Sequence, residues 1–258
     1  MPNYYECKSN NSIVSVISSY LENPDVMGAI QVGSSSHYYK DVKSDYDIEI
    51  IVTNEFYGSI SKNNLVVRDF ENKVEILFMS KDIFESKIKS SLNINHWPYV
   101  KGKIIYDKEG YIKKAISKIV EYGDDWEKRI KLSYFEFILL KSKINRIRET
   151  GEELNLKLVY AQLAIIAVNL IFVIEGKWTP IIYWTSQNIL YLNDDHSTKE
   201  LIFEMLTDPD LIIAEQLQAE IEGKLLKYGF DFFFDKELLT KEITTEAYVK
   251  IRERYSFF

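Results

Sequence analysis

Several residue types are scarce in this sequence, and each scarcity excludes a class of protein. The single cysteine, Cys7, excludes an intramolecular disulfide and a cysteine-based zinc site, so a reducing cytoplasm fits the chain. The three histidines are scattered, which argues against a zinc site built from them. The first ten residues lack a basic segment followed by an apolar one, so no signal peptide is expected. We therefore expect a cytoplasmic protein.

The sequence also lacks an excess of positive charge. Its net charge of −7 argues against general nucleic-acid binding, which needs a basic surface to displace counterions. The same charge is compatible with an amine-bearing small molecule, although acidic surfaces also serve solubility. Apolar residues make up 46% of the chain, with 18 Tyr and 14 Phe, against only 10 Gly and 5 Pro. A large aromatic core with few irregular loops is expected.

Hydrophobic periodicity separates a first part of mixed elements from a second, helical part. In the first part we predict strands at about 29–32, 46–52, 65–70, 74–79 and 103–106, and helices at 11–22, 81–91 and 111–122. The stretch from His96 to Tyr99 is expected to be a loop. In the second part we predict helices at 125–149, 158–174, 181–192, 197–206, 210–228 and 237–256. These patterns place a domain boundary near residue 123.

The longest apolar run, Leu158–Ile174, is interrupted by the amides Gln162 and Asn169. It is shorter than the ~20 residues that a membrane span usually needs. We therefore predict a buried helix of a bundle, and no association with a membrane.

Three acids occupy alternate positions around the predicted second strand: Asp45, Asp47 and Glu49. Alternate residues of a strand share a face, and successive residues on one face lie ~7 Å apart. Two carboxylates at that spacing can reach one cluster of metal ions. The alternative is an edge strand with a solvated acidic face.

Two further features accompany the acidic strand. Gly33 and Ser34 follow the first strand, where backbone N–H groups and a hydroxyl can hold a phosphate, although such pairs also form ordinary turns. Glu75 is an isolated acid within an otherwise apolar strand.

Together these features resemble the polymerase-beta-like nucleotidyltransferase superfamily. Its signature is an apolar residue, Gly, Ser, a gap of roughly ten residues, and then acid, apolar, acid, apolar. Here the signature reads Val32-Gly33-Ser34, then residues 35–44, then Asp45-Tyr46-Asp47-Ile48. More loosely, the helical second half resembles the aminoglycoside and lincosamide nucleotidyltransferases. The implied fold is α+β: a small mixed-sheet nucleotidyltransferase domain (1–123) followed by an all-helical, substrate-binding bundle domain (124–258).

The resemblance implies a role for each matching residue. Gly33 and Ser34 become the triphosphate-binding turn, and Asp45 and Asp47 become metal ligands. Glu75 takes the position of the third carboxylate, which in the family binds metal or acts as the base on the acceptor hydroxyl. The loop after the Gly-Ser pair lacks the second glycine of many relatives, which leaves the nucleotide contacts there open.

Other residues are weaker candidates. Ser44, directly before Asp45, and Lys177, in the turn after the long apolar run, are candidates for nucleotide contacts. Lys177 could equally be a solvated cation at a helix C-terminus, where the helix dipole favours it. Glu49 is expected to be solvent-facing or salt-bridged rather than a ligand.

The resemblance implies an enzyme that uses Mg²⁺, with two ions, and ATP or another nucleoside triphosphate. The expected reaction moves a nucleoside monophosphate, AMP from ATP first, to a hydroxyl of a small molecule and releases pyrophosphate. An aminoglycoside- or lincosamide-like antibiotic is the first expectation, with antibiotic resistance as the consequence. Two alternatives stay open: a toxin-type transferase acting on protein or tRNA, and a non-catalytic binding module. Monomer and homodimer are equally compatible with the sequence.

Overall fold

The structure is a computed structural model that describes residues 11–36, 45–90, 92–120, 126–181, 184–190, 192–193 and 197–245. The chain divides into two compact units, Met1–Glu121 and Tyr122–Phe258. The first contains a sheet with helices and the second is helical, which confirms the predicted α+β fold class. The boundary predicted between residues 123 and 124 lies outside the described residues.

A mixed five-stranded sheet forms the centre of the first unit. Its strands are β1 (Val26–Val32), β2 (Tyr46–Val52), β3 (Val66–Asp69), β4 (Val74–Ser80) and β5 (Lys103–Asp107). Their order is β3-β4-β2-β1-β5, with β2 and β4 parallel and the other neighbours antiparallel. All five predicted strands are present. The first is longer than predicted, because Val26 and Gly28 also pair with β2.

In the described part of the first unit, five helices accompany this sheet: α1 (Asn11–Leu21), α2 (Asn54–Ser59), α3 (Lys81–Lys89), α4 (Asn93–Val100) and α5 (Tyr111–Val120). The apolar face of α1 buries Ile13, Ile17 and Leu21 in the same cluster as the β2 residues Ile48 and Ile50. Because one face of β2 is covered in this way, its acidic residues are confined to the other face.

The loop predicted from His96 to Tyr99 is wrong, because these residues belong to α4. Trp97 and Tyr99 are buried, and a ring nitrogen of His96, Nε2, lies 3.1 Å from the carbonyl oxygen of Lys87. Burial of these large side chains therefore outweighs the loop signal of Pro98, which lies inside the helix.

The second unit contains the helices α6 (Trp126–Lys141), α7 (Ile144–Thr150), α8 (Glu153–Ile174), α9 (Thr185–Ile189), α10 (Ser197–Thr207), α11 (Leu211–Lys227) and α12 (Lys236–Ile243). The single helix predicted at 125–149 is two helices. At the break, the Ser142 hydroxyl donates to the carbonyl of Leu139, and the Lys143 N–H donates to the carbonyl of Leu140. Of the helix predicted at 181–192, the described residues form the shorter helix α9. The last helix ends earlier than the predicted 237–256, whose residues from 246 lie outside the described part.

The long apolar helix α8 lies in the core of the second unit and packs against α6, α10 and α11. It begins at Glu153, earlier than predicted, and by length and composition it could cross a membrane. Its most apolar window has a mean hydropathy of 2.1, and 56% of that window is buried inside the protein. The Asn169 amide within it is hydrogen-bonded to Ser133 at 2.9 Å and to Thr179 at 2.6 Å. A polar residue is thus accommodated in the apolar core.

Candidate active site

Three predicted site residues meet on neighbouring strands of the sheet. Asp47 on β2 is paired with Val32 on the antiparallel strand β1 and with Glu75 on the parallel strand β4. Gly33 directly follows Val32. The turn predicted to bind phosphate and two of the three predicted acids are therefore neighbours in the fold, although they are well separated in the sequence.

Gly33 and Asp47 are in direct contact. Gly33 has a φ of +72°, a conformation that side-chain-bearing residues rarely adopt. A Cβ atom at this position would lie 2.0 Å from Oδ2 of Asp47. Glycine is therefore required at position 33 for two reasons, the backbone conformation and the space that the Asp47 carboxylate occupies.

The turn after Gly33 is a single 3₁₀ turn, Ser34–Ser36, and a buried glutamine braces it. Nε2 of Gln31 donates to the carbonyl oxygen of Ser35 at 3.0 Å, and the Ser36 hydroxyl donates to the carbonyl of Gly33 at 2.7 Å. Sequence reasoning missed Gln31. Its signal was a single amide within an otherwise apolar strand.

The surroundings of Asp47 disfavour its negative charge. Burial raises the pKa of Asp47 to about 6, and the charges of Glu75, Asp45 and Glu49 add to this shift. Asp45 is exposed at the start of β2. A cation bound between these carboxylates would reverse the effect, because it stabilises the ionised form.

The donor set fits Mg²⁺ in its chemistry, because carboxylate oxygens are the ligands that this ion prefers. The raised pKa of Asp47 reflects its burial and the neighbouring carboxylates, and a bound cation would oppose both effects. Within the described ranges, however, no three His, Cys, Asp or Glu side chains converge closely enough to hold a metal ion. Metal binding by Asp45, Asp47 and Glu75 therefore stays a prediction, and Glu75 has another partner.

That partner is Arg68, which faces Glu75 across the β3–β4 pair. Nε of Arg68 donates to Oε2 of Glu75 at 2.5 Å. Both side chains border an open cleft of about 330 Å³. The cleft is lined by Asp45, Arg68, Asp69, Phe70, Lys73, Val74 and Glu75. Sequence reasoning missed Arg68, because its pairing depends on the register of the hairpin.

Glu49, the third acid of β2, is salt-bridged and buried rather than solvent-facing. Its Oε1 atom lies 2.9 Å from Nζ of Lys87, and the Tyr99 hydroxyl donates to its Oε2 atom at 2.5 Å. Burial raises the pKa of Tyr99 further above its ordinary value, and the neighbouring Glu49 charge adds to the shift. Glu49 therefore forms a salt bridge, one of the two arrangements expected for it.

The remaining candidates contribute less to the described site. Ser44 and the side chain of Ser34 lie outside the described residues. Lys177 forms an ion pair with Glu175, with 2.7 Å between Nζ and Oε2, and only 2% of the Glu175 side chain is exposed. Its charge thus balances a buried carboxylate within the second unit, and a nucleotide contact by Lys177 stays a prediction.

Comparisons with known proteins give three findings. The family described as "Domain of unknown function (DUF4037)" matches residues 93–185, a range that includes none of Gly33, Asp45, Asp47 and Glu75. Among solved structures, the chain is similar to a nucleotidyltransferase-like protein from Exiguobacterium sibiricum 255-15. The identity is 14% and the TM-score 0.49, over 93% of this chain and 89% of that one. No curated protein matches the chain.

Proposed function

We propose that the protein is a nucleotidyltransferase that moves a nucleoside monophosphate to a hydroxyl of a small molecule. AMP from ATP is the group we expect first. The observation that carries the proposal is the position of Asp47, in contact with Gly33 and in register with Glu75. Phosphoryl transfer needs positioning and charge neutralisation more than covalent participation by the protein. In the proposal, the Gly33-Ser34 turn positions the phosphates. A cation held by Asp45 and Asp47 neutralises their charge, and Glu75 supplies a further carboxylate.

In the proposed reaction, an oxygen of the acceptor attacks the α-phosphorus of the nucleotide. The bond from that phosphorus to the oxygen bridging to the β-phosphorus breaks, and pyrophosphate leaves with the bonding electrons. The proton of the acceptor hydroxyl passes to a carboxylate, for which Glu75 is the candidate. The Gly33-Ser34 turn would hold the triphosphate through its backbone N–H groups.

Asp45 and Asp47 would hold Mg²⁺, and Glu75 would be a third ligand if it is not the base. When bound, Mg²⁺ would neutralise the charge of the triphosphate and of the leaving pyrophosphate. Asp47 would then be fully ionised at neutral pH, because a nearby cation lowers a carboxyl pKa. The contact with Gly33 would hold its carboxylate beside the turn that binds the phosphates.

For the acceptor, we propose a hydroxylated antibiotic of the aminoglycoside or lincosamide type. The net charge of −7 favours an amine-bearing molecule. The cleft beside Glu75 has a volume of about 330 Å³, within the range of small-molecule sites. Transfer to such an antibiotic in the cytoplasm would confer resistance.

The proposal is tested by incubating the protein with Mg²⁺, ATP labelled at the α-phosphate, and a panel of aminoglycosides and lincosamides. The expected result is labelled antibiotic together with released pyrophosphate. Label on the protein itself or on added tRNA would instead favour a toxin-type transferase. If no nucleoside triphosphate yields pyrophosphate with any acceptor, the non-catalytic binding module is the better description.

The role of Glu75 is tested in the same assay. If Glu75 is the base, Glu75→Gln should lower transfer by at least about 100-fold while the protein still binds nucleotide. Loss of both transfer and nucleotide binding would make Glu75 a metal ligand instead. Glu71→Gln, an exposed acid in the turn of the same hairpin, should leave transfer unchanged.

A further inference from the structure

Arg68, Glu75 and Asp47 form a row across three neighbouring strands. Arg68 on β3 faces Glu75 on β4, and Asp47 on β2 faces Glu75 from the other side. Facing residues of neighbouring strands share one side of the sheet and are close enough to interact. Glu75 therefore has a cation on one side and an anion on the other.

Glu75 forms an ion pair with Arg68. The Arg68–Glu75 ion pair has a distance of 2.5 Å between Nε and Oε2 and is partly open to solvent, with 60% of the Arg68 side chain exposed. Towards Asp47 the interaction is repulsive, because both residues are carboxylates at facing positions of the parallel pair. Electrostatics thus favours the Glu75 carboxylate on the Arg68 side, away from Asp47.

A simpler explanation is that Arg68 protects an edge. β3 is the outer strand of the sheet, and charged side chains on such strands prevent pairing with other chains. This accounts for a charge on β3. It does not account for the position of the arginine opposite a candidate catalytic acid, or for the cleft that Arg68, Asp45 and Glu75 share. Exposed ion pairs also contribute little to stability, so stability alone is a weak explanation of the contact.

We infer that Arg68 acts as a latch on Glu75, holding it apart from Asp45 and Asp47 until the ion pair opens and Glu75 joins them around a cation. The inference rests on the proposed function. It explains why three acids do not converge on a metal site in the part of the chain that the structure describes, although the strand register places Glu75 beside Asp47. Because the pair is exposed, opening it is easy, and Arg68 should weaken cation binding only by about two- to fivefold.

The test needs no acceptor. ATP is held at a fixed concentration, and the Mg²⁺ concentration that gives half of the ATP-dependent rise in melting temperature is measured. Arg68→Gln and Arg68→Ala should lower this concentration by about two- to fivefold, because Glu75 is then released. Arg68→Lys keeps the charge and should change it less. Lys89→Ala, which removes an exposed lysine paired with Glu85 at 3.9 Å, should not change it.

A second background separates a latch from a general field effect. Removing any cation near the site could strengthen Mg²⁺ binding, but a latch acts only through Glu75. Arg68→Gln should therefore have no effect on the Mg²⁺ requirement when Glu75→Gln is already present, measured over Mg²⁺ concentrations high enough to restore the ATP-dependent rise if Glu75→Gln weakens it. An effect that persists in this background would overturn the inference.

An unchanged or higher Mg²⁺ requirement in both Arg68 variants would also overturn it. Each variant is first compared with the wild type for its melting temperature without ligand, and Arg68→Gln serves if Arg68→Ala does not fold. If the melting temperature of wild-type protein does not rise with Mg²⁺ and ATP, the proposed function is contradicted, and the latch is contradicted with it. A normal rise with unresponsive Arg68 variants contradicts the latch alone.

Discussion

A Cβ atom at Gly33 would lie 2.0 Å from Oδ2 of Asp47, so the candidate metal ligand packs directly on the turn proposed to hold phosphate. Asp47 belongs to β2, and Gly33 directly follows the neighbouring strand β1. This contact joins the turn proposed to bind phosphate to the acid proposed to bind a cation. Four predictions follow from it and from the charges around it.

Replacing Gly33 should lower the free energy of unfolding by more than its backbone conformation alone explains. Gly110 has the same φ of +72°, with open space around it, and is the matched control. Gly110→Ala should cost about 1–2 kcal/mol, the usual cost of a left-handed residue. Gly33→Ala should lose a further 1–3 kcal/mol or so from the clash with Asp47. Equal losses of unfolding free energy in urea would contradict the contact.

Asp47 should make the protein without ligand less stable as pH rises. The pKa of Asp47 is about 6 in the folded protein, against an ordinary value of 3.8, so the folded state binds the proton more tightly. Its contribution to the free energy of unfolding is therefore lost as pH rises from about 4 to 6, and the loss is complete above that range. Allowing for solvent screening, we expect a loss on the order of 1–2 kcal/mol.

Asp47→Asn removes this titration and should be more stable than wild type at pH 7.5, with the difference disappearing near pH 4. The measurement is the urea unfolding free energy of both proteins across this range. Glu71→Gln, at an exposed acid outside the site, should follow the wild-type curve. A wild type that is the more stable protein at pH 7.5 would contradict the assigned charge environment.

Lys87 should be needed for the stability of the first unit. It compensates the charge of Glu49, a residue only 7% exposed, and Lys87→Met would leave that carboxylate buried without its cation. Because 28% of the Lys87 side chain is exposed, we expect a loss of about 2–4 kcal/mol, below the cost for a fully buried pair. Adding Glu49→Gln should recover much of the loss.

Lys89 is the matched control for Lys87, two residues further along the same helix. Its side chain is 78% exposed, and its partner Glu85 is 3.9 Å away. Lys89→Met should change the unfolding free energy by less than about 1 kcal/mol. Similar losses of unfolding free energy for both lysine variants would show that the Lys87–Glu49 ion pair does not stabilise the first unit more than an exposed pair does.

The acidic strand was predictable because its signal is local. Ile48 and Ile50 alternate with Asp47 and Glu49, and this period of two defines a strand with one apolar face. The same alternation could not predict that Glu49 is salt-bridged and that Asp47 contacts Gly33. Glu49 is salt-bridged because Lys87 and Tyr99 reach it from 38 and 50 residues away, and a strand pattern contains no information about such partners.

The partner of Glu75 was beyond prediction for a related reason. The strand around Glu75 was evident from its apolar residues, but the pairing of Arg68 with it depends on the hairpin register. That register is set at the turn, where Lys73 has a φ of 53°. A shift of one residue would have placed Arg68 on the opposite face of the sheet.

The most direct test of the central claim is the melting temperature with Mg²⁺ and ATP together. If the site around Asp45 and Asp47 binds both, wild-type protein should gain about 5 °C or more at ligand concentrations near 100 times the dissociation constant. Asp47→Asn should abolish this gain, and Lys89→Ala should retain it. No gain with Mg²⁺ and any of the four nucleoside triphosphates, or an undiminished gain in Asp47→Asn, would contradict the account.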